Sequence, residues 1–402
     1  MKSLKELFRI GPGPSSSHTL GPQRASKMFK EHTPNAYYYE AELFGSLSLT
    51  GKGHLTDYII IETMKPKDCN VFFKVGENLK HPNTMVLSAY DDKRNLIDQW
   101  TVYSVGGGAI EIEGVASAKE KDIYPHASFQ EISQYCKEHG LSLYQYVDAF
   151  EQIDDYLEMI IKQMCKTVDT GLNKEGELPG KLHLKRIGRS LLKKAVQCEI
   201  AAEKERLLLS AYAYSASEEN ASGGTTVTAP TLGSSGILPA LIYYFYYDLK
   251  YPMEEIIKGI KIAGIIGNLI KRNATISGAE GGCQAEVGAA CAMASAMVAQ
   301  FRGLEEHQIE YAAEMGIEHH LGLTCDPVGG YVMIPCIERN AVATLRAMDS
   351  AVLAQFISEV KKNKVSFDMV VHTMNYTGKK LAIELKETSL GGLATVVPME
   401  EK

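Results

Sequence analysis

The chain has no basic excess: 42 Lys and Arg stand against 49 Asp and Glu, a formal charge of −7. With no Lys/Arg run and no basic residues interleaved with aromatics, it lacks what tracks phosphates, and nucleic acid is not an expected partner. Long apolar runs are missing too. GILPALIYYFYY at 236–247 and the Ala-rich 287–301 are too short or too polar to span a bilayer, so no membrane partner is expected. The opening MKSLKELFRIG lacks the apolar stretch of a signal peptide. Eight cysteines scattered over 402 residues contain no paired C-x-x-C and make no disulfide framework, which fits a reducing cytoplasm. No internal repeat or low-complexity segment is evident. A soluble, enzyme-sized protein is expected.

The length suits two or three domains at about 100–200 residues each. After a short opening helix and the helix QRASKMFKEH, strand signals dominate. Residues 37–49 and 58–63 read as strands, as do 71–75, 84–89 and 99–105, with Gly106 to Gly108 interrupting and IEIEG closing near Gly114. From about 126 the apolar residues recur at three and four, and helices are expected at 183–214, 236–249, 253–271, 284–301, 305–317, 338–359 and 365–375. The fold class is therefore α+β: a small N-terminal α+β domain over 1–122, then a large all-helical domain over 123–402.

Three places could carry chemistry. Gly11 to Pro22, GPGPSSSHTLGP, has too many Gly and Pro for helix or strand and reads as a loop. Its Ser15, Ser16, Ser17 and Thr19 offer hydroxyls for a carboxylate, and His18 an imidazole that exchanges a proton near neutrality. The same residues could merely cap the next helix, with His18 solvated. The second place is Thr275 to Arg339, where Cys283 follows two glycines, Cys325 precedes Pro327 and Cys336 follows Pro335. Thiols in breaks of this kind can converge on a metal, though by their spacing alone they read first as buried thiols. Cys291, mid-helix among small residues, reads as a packed thiol. Third, the connections NASGGTTVTAPTLGSSG and KETSLGGLA could bring hydroxyls and backbone amides to an anionic ligand.

Taken together, PSSSHTLGP, LFGSLSLTGKGHLTD, HPNTM, SVGGG, APTLGSSGILPA, SGAEGGCQAEVG, CDPVGGYVMIPCIERNA and KETSLGGLA resemble the iron-sulfur L-serine dehydratases (L-serine ammonia-lyases), in the single-chain form with the β domain first. The resemblance covers nearly the whole chain. It implies a 4Fe-4S cluster on Cys283, Cys325 and Cys336, a substrate L-serine under the SSSHT loop, and His18 as the base. Ser15, Ser16, Ser17 and Thr19 would orient the substrate carboxylate, with His81 and Asn83 as further contacts. Three thiolates leave one iron open as a Lewis acid toward serine. Amino-acid degradation feeding gluconeogenesis and a homodimer are part of the same expectation. Two alternatives stand beside it: cysteine desulfuration by a related protein, and a non-catalytic iron-sulfur redox sensor. A pyridoxal-phosphate enzyme would need a Schiff-base lysine context that is not found. Where some relatives carry an ACT-like domain there is no room for one here. Where others end in a cysteine that caps the fourth iron, this chain ends VVPMEEK, so water, Glu400, Glu401 or the Lys402 carboxylate is expected there.

Overall fold

A computed structural model describes residues 1–115 and 122–398. The N-terminal part is organised on a five-stranded sheet of β2 Tyr38–Gly45, β3 Cys69–Phe73, β4 Asn83–Tyr90, β5 Leu96–Gly106 and β6 Ala109–Ile112, after a short β1 Ile10–Pro12 outside it. Its order is β3-β2-β4-β5-β6, with β2 and β3 parallel and the other pairs antiparallel. Alternation sets the faces: Tyr39, Ala41 and Leu43 of β2 are buried beside Met85, Leu87 and Ala89 of β4. Helix Gly21–His32 covers that face, with Phe29 edge-on to Trp100 and Tyr39. Burying a side chain such as Phe29 is worth about 1.5–3 kcal/mol.

The segment at 58–63 is helix, not strand: it lies within Thr56–Met64. Its β-branched isoleucines favour a strand locally, but the buried positions Thr56, Ile59, Ile60 and Met64 follow helical spacing and pack on the sheet. The strand expected over 37–49 stops at Gly45, which has φ +58, and a short helix Ser46–Thr50 follows. A Cβ at Gly45 would collide with the Pro82 carbonyl, so the chain can turn there only with glycine. The Gly11–Pro22 stretch is also not all loop. It contributes to β1, forms a π-helical turn Ser16–Leu20 and starts the helix at Gly21.

The rest is helical apart from β7 Thr225–Val227, which pairs antiparallel with β1. The helix expected at 183–214 is two, Gly188–Gln197 and Ala201–Ala221, broken by an extended Cys198 and folded back so that Gly188 meets Ser215. Helix Val287–Phe301 is central, buried on nearly every side. Its small residues let neighbours approach closely: a Cβ on Gly316 would stand 2.9 Å from the Ala292 Cα. Cys291 is buried there, its thiol 3.5 Å from the Ala343 carbonyl. Met1, Leu4, Leu7 and Phe8 belong to this helical core rather than to the sheet's, with Leu4 against Gly264 and Leu7 against Gly267. The N-terminus thus straps the two parts together, and β1–β7 delivers the Ser15–Thr19 turn to the helical part. Among the described residues no helix is long and apolar enough to cross a membrane.

Candidate active site

The turn that carries His18 is held by its own hydroxyls. Ser15 Oγ accepts the His18 N–H at 3.1 Å, and Thr19 Oγ1 accepts the Ser15 N–H at 3.2 Å. Thr19 Oγ1 in turn donates to the His54 carbonyl at 2.8 Å, and Thr56 Oγ1 donates to the His18 carbonyl at 2.7 Å. Ser15 and Thr19 therefore have structural duties, as capping residues do, yet His18 is fully buried rather than solvated. Its ring stacks on His54 with centroids 4.4 Å apart.

The proton positions follow from the partners. Ser46 Oγ donates to the Glu387 carbonyl at 2.6 Å and Thr50 Oγ1 to the Ser46 carbonyl at 3.0 Å, so each hydroxyl has spent its proton. Both lie at 3.0–3.1 Å from His18 Nε2, which must therefore carry the hydrogen and leave Nδ1 bare. His54 Nδ1 faces the Thr50 carbonyl at 2.9 Å and must donate, which leaves Nε2 bare. Burial drives both rings to the neutral form: His18 lies well below the usual imidazole range, with His54 adding to the effect, and His54 is pushed down to about 4.

Both bare nitrogens point at one carboxyl. Glu387 Oε1 is 3.5 Å from His18 Nδ1 and 3.6 Å from His54 Nε2, and the three atoms lie within 4.8 Å of one another. Glu387 is a non-glycine residue at φ +58, a conformation tolerated where surroundings over-determine it. Its N–H donates to the Cys325 carbonyl at 2.6 Å. Burial, then the nearby Glu286 carboxyl, hold its carboxyl well above the usual range, against an N–H from Ala279. Glu286 is likewise raised by burial, moderated by the Thr231 hydroxyl donating at 2.7 Å.

The cysteines adjoin this group. A Cβ on Gly278 would stand 2.7 Å from Glu286 Oε2 and 3.3 Å from Cys325 Sγ, so only glycine lets that strand of chain pass between them. Cys325 lies near enough to Cys283 and Cys336 for their charges to act on it. Burial pushes Cys283 up to about 11, and Cys325 and Cys336 are raised well above the usual thiol range, first by burial, then by the Glu387 and Glu286 carboxyls at Cys325 and by Cys283 and Glu286 at Cys336. Arg339 is the cation set among them, hydrogen-bonded to Cys283 and donating to the Thr324 carbonyl at 2.6 Å.

Three thiols and two carboxyls gather in one buried place beside Arg339, and the thiols come from three separate segments. That donor set fits an iron-sulfur cluster, whose corners take sulfurs spread wider than the ligands of a single ion. Glu400, Glu401 and Lys402 lie outside the described residues.

His81 and Asn83 sit at the rim. Asn83, fully buried, pairs with Gly45 beside Ser46 and donates from Nδ2 to the Ser104 carbonyl at 3.3 Å, leaving Oδ1 without a partner among the described residues. His81 Nδ1 accepts the Asn83 N–H at 3.0 Å, and its Nε2 is 3.6 Å from Glu280, two residues before Gly282. Ser46, Thr50, His54, Glu286 and Glu387 carry no role in the sequence analysis, although TGKGHLTD and KETSLGGLA contain three of them, Thr50, His54 and Glu387. Glycines crowding a histidine or a glutamate were the available signal.

A sheet-bearing N-terminal unit with a buried Ser-His turn is thus joined to a helical unit that gathers three cysteines. Residues 3–72 match the serine dehydratase beta chain family and residues 60–394 the serine dehydratase alpha chain family. The chain belongs to the serine dehydratase family. It is 37% identical to L-serine dehydratase 1 of Escherichia coli and 36% identical to L-serine dehydratase of Haemophilus influenzae, in each case over 99% of both chains. It is also 37% identical to L-serine dehydratase of Streptomyces coelicolor over 98% of both.

Proposed function

We propose that the protein is an L-serine ammonia-lyase that dehydrates L-serine and releases pyruvate and ammonia, with Cys283, Cys325 and Cys336 holding a 4Fe-4S cluster and His18 as base. One observation carries the reading: Glu387 binds Cys325 through its backbone while its side chain faces both bare imidazole nitrogens, so the base and the thiols belong to one buried site. A cluster on three thiolates would supply an open Lewis-acid position toward the substrate oxygens. The chain's own residues do the rest. His18 Nδ1, bare because Nε2 is committed to Ser46 and Thr50, takes the α-proton. Ser17 Oγ, 3.0 Å from that nitrogen, and Ser16 are the turn's hydroxyls for the substrate carboxylate. Burial keeps water from the reacting carbons. With the α-proton and the β-hydroxyl gone as water, aminoacrylate leaves and hydrolyses unaided.

A second reading puts the base at His54, whose Nε2 faces the same Glu387 oxygen. The two are separated by the rate at which each Ala variant exchanges the serine α-hydrogen with deuterated solvent. A cytoplasmic setting is supported by eight free thiols. A homodimer is supported by exposed Val342, Leu353 and Phe356 on helix Cys336–Ser358. The test is an anaerobic assay on iron-reconstituted protein, following pyruvate from L-serine and sulfide from L-cysteine. Pyruvate from serine is expected. Sulfide without pyruvate would indicate a desulfidase, and neither product, with an intact cluster, a sensor.

A further inference from the structure

Three polar atoms face one another in the site: His18 Nδ1, which also has Ser17 Oγ 3.0 Å away, His54 Nε2 and Glu387 Oε1. The second carboxyl oxygen, Glu387 Oε2, is buried and has no hydrogen-bond partner among the described residues. Buried polar atoms are nearly always satisfied, so a carboxyl left this way awaits something that is absent when the site is free. What it lacks is a cationic donor with more than one hydrogen. A primary ammonium group has three N–H donors and one positive charge, whereas a hydroxyl offers one donor and no charge.

We propose that Glu387 is the residue that binds the α-ammonium group of the substrate, making the site select 2-amino acids over the corresponding 2-hydroxy acids. This rests on the serine reading above and deepens it. The position is apt for the chemistry. An ammonium nitrogen held at Glu387 lies one bond from the α-carbon, so the α-hydrogen comes beside the imidazole nitrogens that flank the same carboxyl. The backbone of Glu387 is fixed from both sides, by its N–H on the Cys325 carbonyl and by Ser46 Oγ on its own carbonyl. The anchor for the amino group is thereby tied to a cysteine segment at one end and to the histidine's hydroxyl partner at the other. Selection against a hydroxy acid follows from the same burial. With no ammonium bound, Glu387 Oε2 stays enclosed without a partner among the described residues, and a site built on such a group rejects the ligand that fails to supply one.

The experiment uses the full chain with its iron-sulfur content restored anaerobically. Binding of L-serine and of L-glycerate, its 2-hydroxy counterpart, is measured by calorimetry, and pyruvate formation is followed separately. Wild-type protein should bind L-serine at least about 100-fold more tightly than L-glycerate. In E387Q the KM for L-serine should rise at least about tenfold with a smaller change in kcat, while L-glycerate inhibits as well as before or better. Equal wild-type affinity for the two ligands would overturn the assignment, as would a loss of kcat in E387Q at unchanged KM. Should E387Q lose its fold or iron, the wild-type comparison still decides. Serine preferred over glycerate without pyruvate would remove the dehydration reading and leave the ammonium site standing. Pyruvate with equal affinities would do the reverse. A stoichiometric divalent ion beyond the cluster iron, blocking serine until it is chelated, would assign the same three atoms to a metal and overturn the proposal.

Discussion

Gly53 is where the histidine segment touches the cysteine segment. A Cβ there would stand 2.5 Å from the Gly330 carbonyl carbon, closer still to its oxygen, and 3.0 Å from the Gly329 oxygen. These are backbone atoms and cannot swing aside. Non-bonded heavy atoms settle at about 3.5–4.0 Å, so Gly53→Ala must separate the two segments by about 1 Å. The two segments meet over more than this one residue, since a Cβ on Gly330, at φ +73, would stand 3.2 Å from the Thr50 Cα. Overpacking of this kind costs about 1–3 kcal/mol, which a chain of this size should survive. The function should suffer more. His54 follows Gly53 directly, Thr50 holds His18 Nε2, and a 1 Å misplacement of catalytic groups can cost about 100-fold in rate. The assay is anaerobic pyruvate formation by the variant, with melting temperature and iron per chain measured on the same preparation. Expected are a folded protein, near-normal iron and a rate down about 100-fold. A wild-type rate would show that the contact does not position the site.

The other predictions concern single groups. Cys283→Ala, Cys325→Ala and Cys336→Ala should each lose both cluster absorbance and activity while Cys291→Ala, a packed thiol, keeps most of both; full cluster content in any of the first three would mean a wrong ligand set. His18→Ala should keep its iron but lose about 100-fold or more of its turnover, and near-normal turnover would move the base elsewhere. Because burial pushes His54 down to about 4, the unfolded chain binds a proton that the folded chain refuses between pH 6.5 and 4. Stability from this group is full above about pH 6.5 and lost as pH falls, about 3 kcal/mol in all. The raised carboxyls of Glu286 and Glu387 act with the opposite sign, so the check is the difference between wild type and His54→Asn in denaturant titrations of the iron-free protein across that range. Parallel curves would refute it.

Much of the architecture was legible because periodicity and burial agree over long stretches, as in helix Asp154–Leu172 or the alternation of Tyr38–Gly45. Where they disagreed the reading failed: Tyr58 to Ile61 looks like a strand by composition, and only packing against the sheet shows that Ile59 and Ile60 share one helix face. The site was half visible. The Ser-His turn and the cysteines stand out because glycine and proline surround them. Glu387 and His18 are separated by most of the chain, and a proton inventory that requires Ser46, Thr50 and two carbonyls cannot be read from a string of residues. The strap of Met1, Leu4, Leu7 and Phe8 in the helical core was equally hidden, since a short apolar segment does not say which core it enters.

We propose that one buried site unites the Ser-His turn with an iron-sulfur cluster and acts on L-serine. The most direct measurement is Mössbauer spectroscopy of the anaerobically reconstituted protein with and without L-serine, with pyruvate assayed on the same sample. Expected is a cubane signal in which a single iron responds to L-serine, in a sample that forms pyruvate. Pyruvate formed without any such cluster, or a cluster whose irons all ignore serine during turnover, would contradict it.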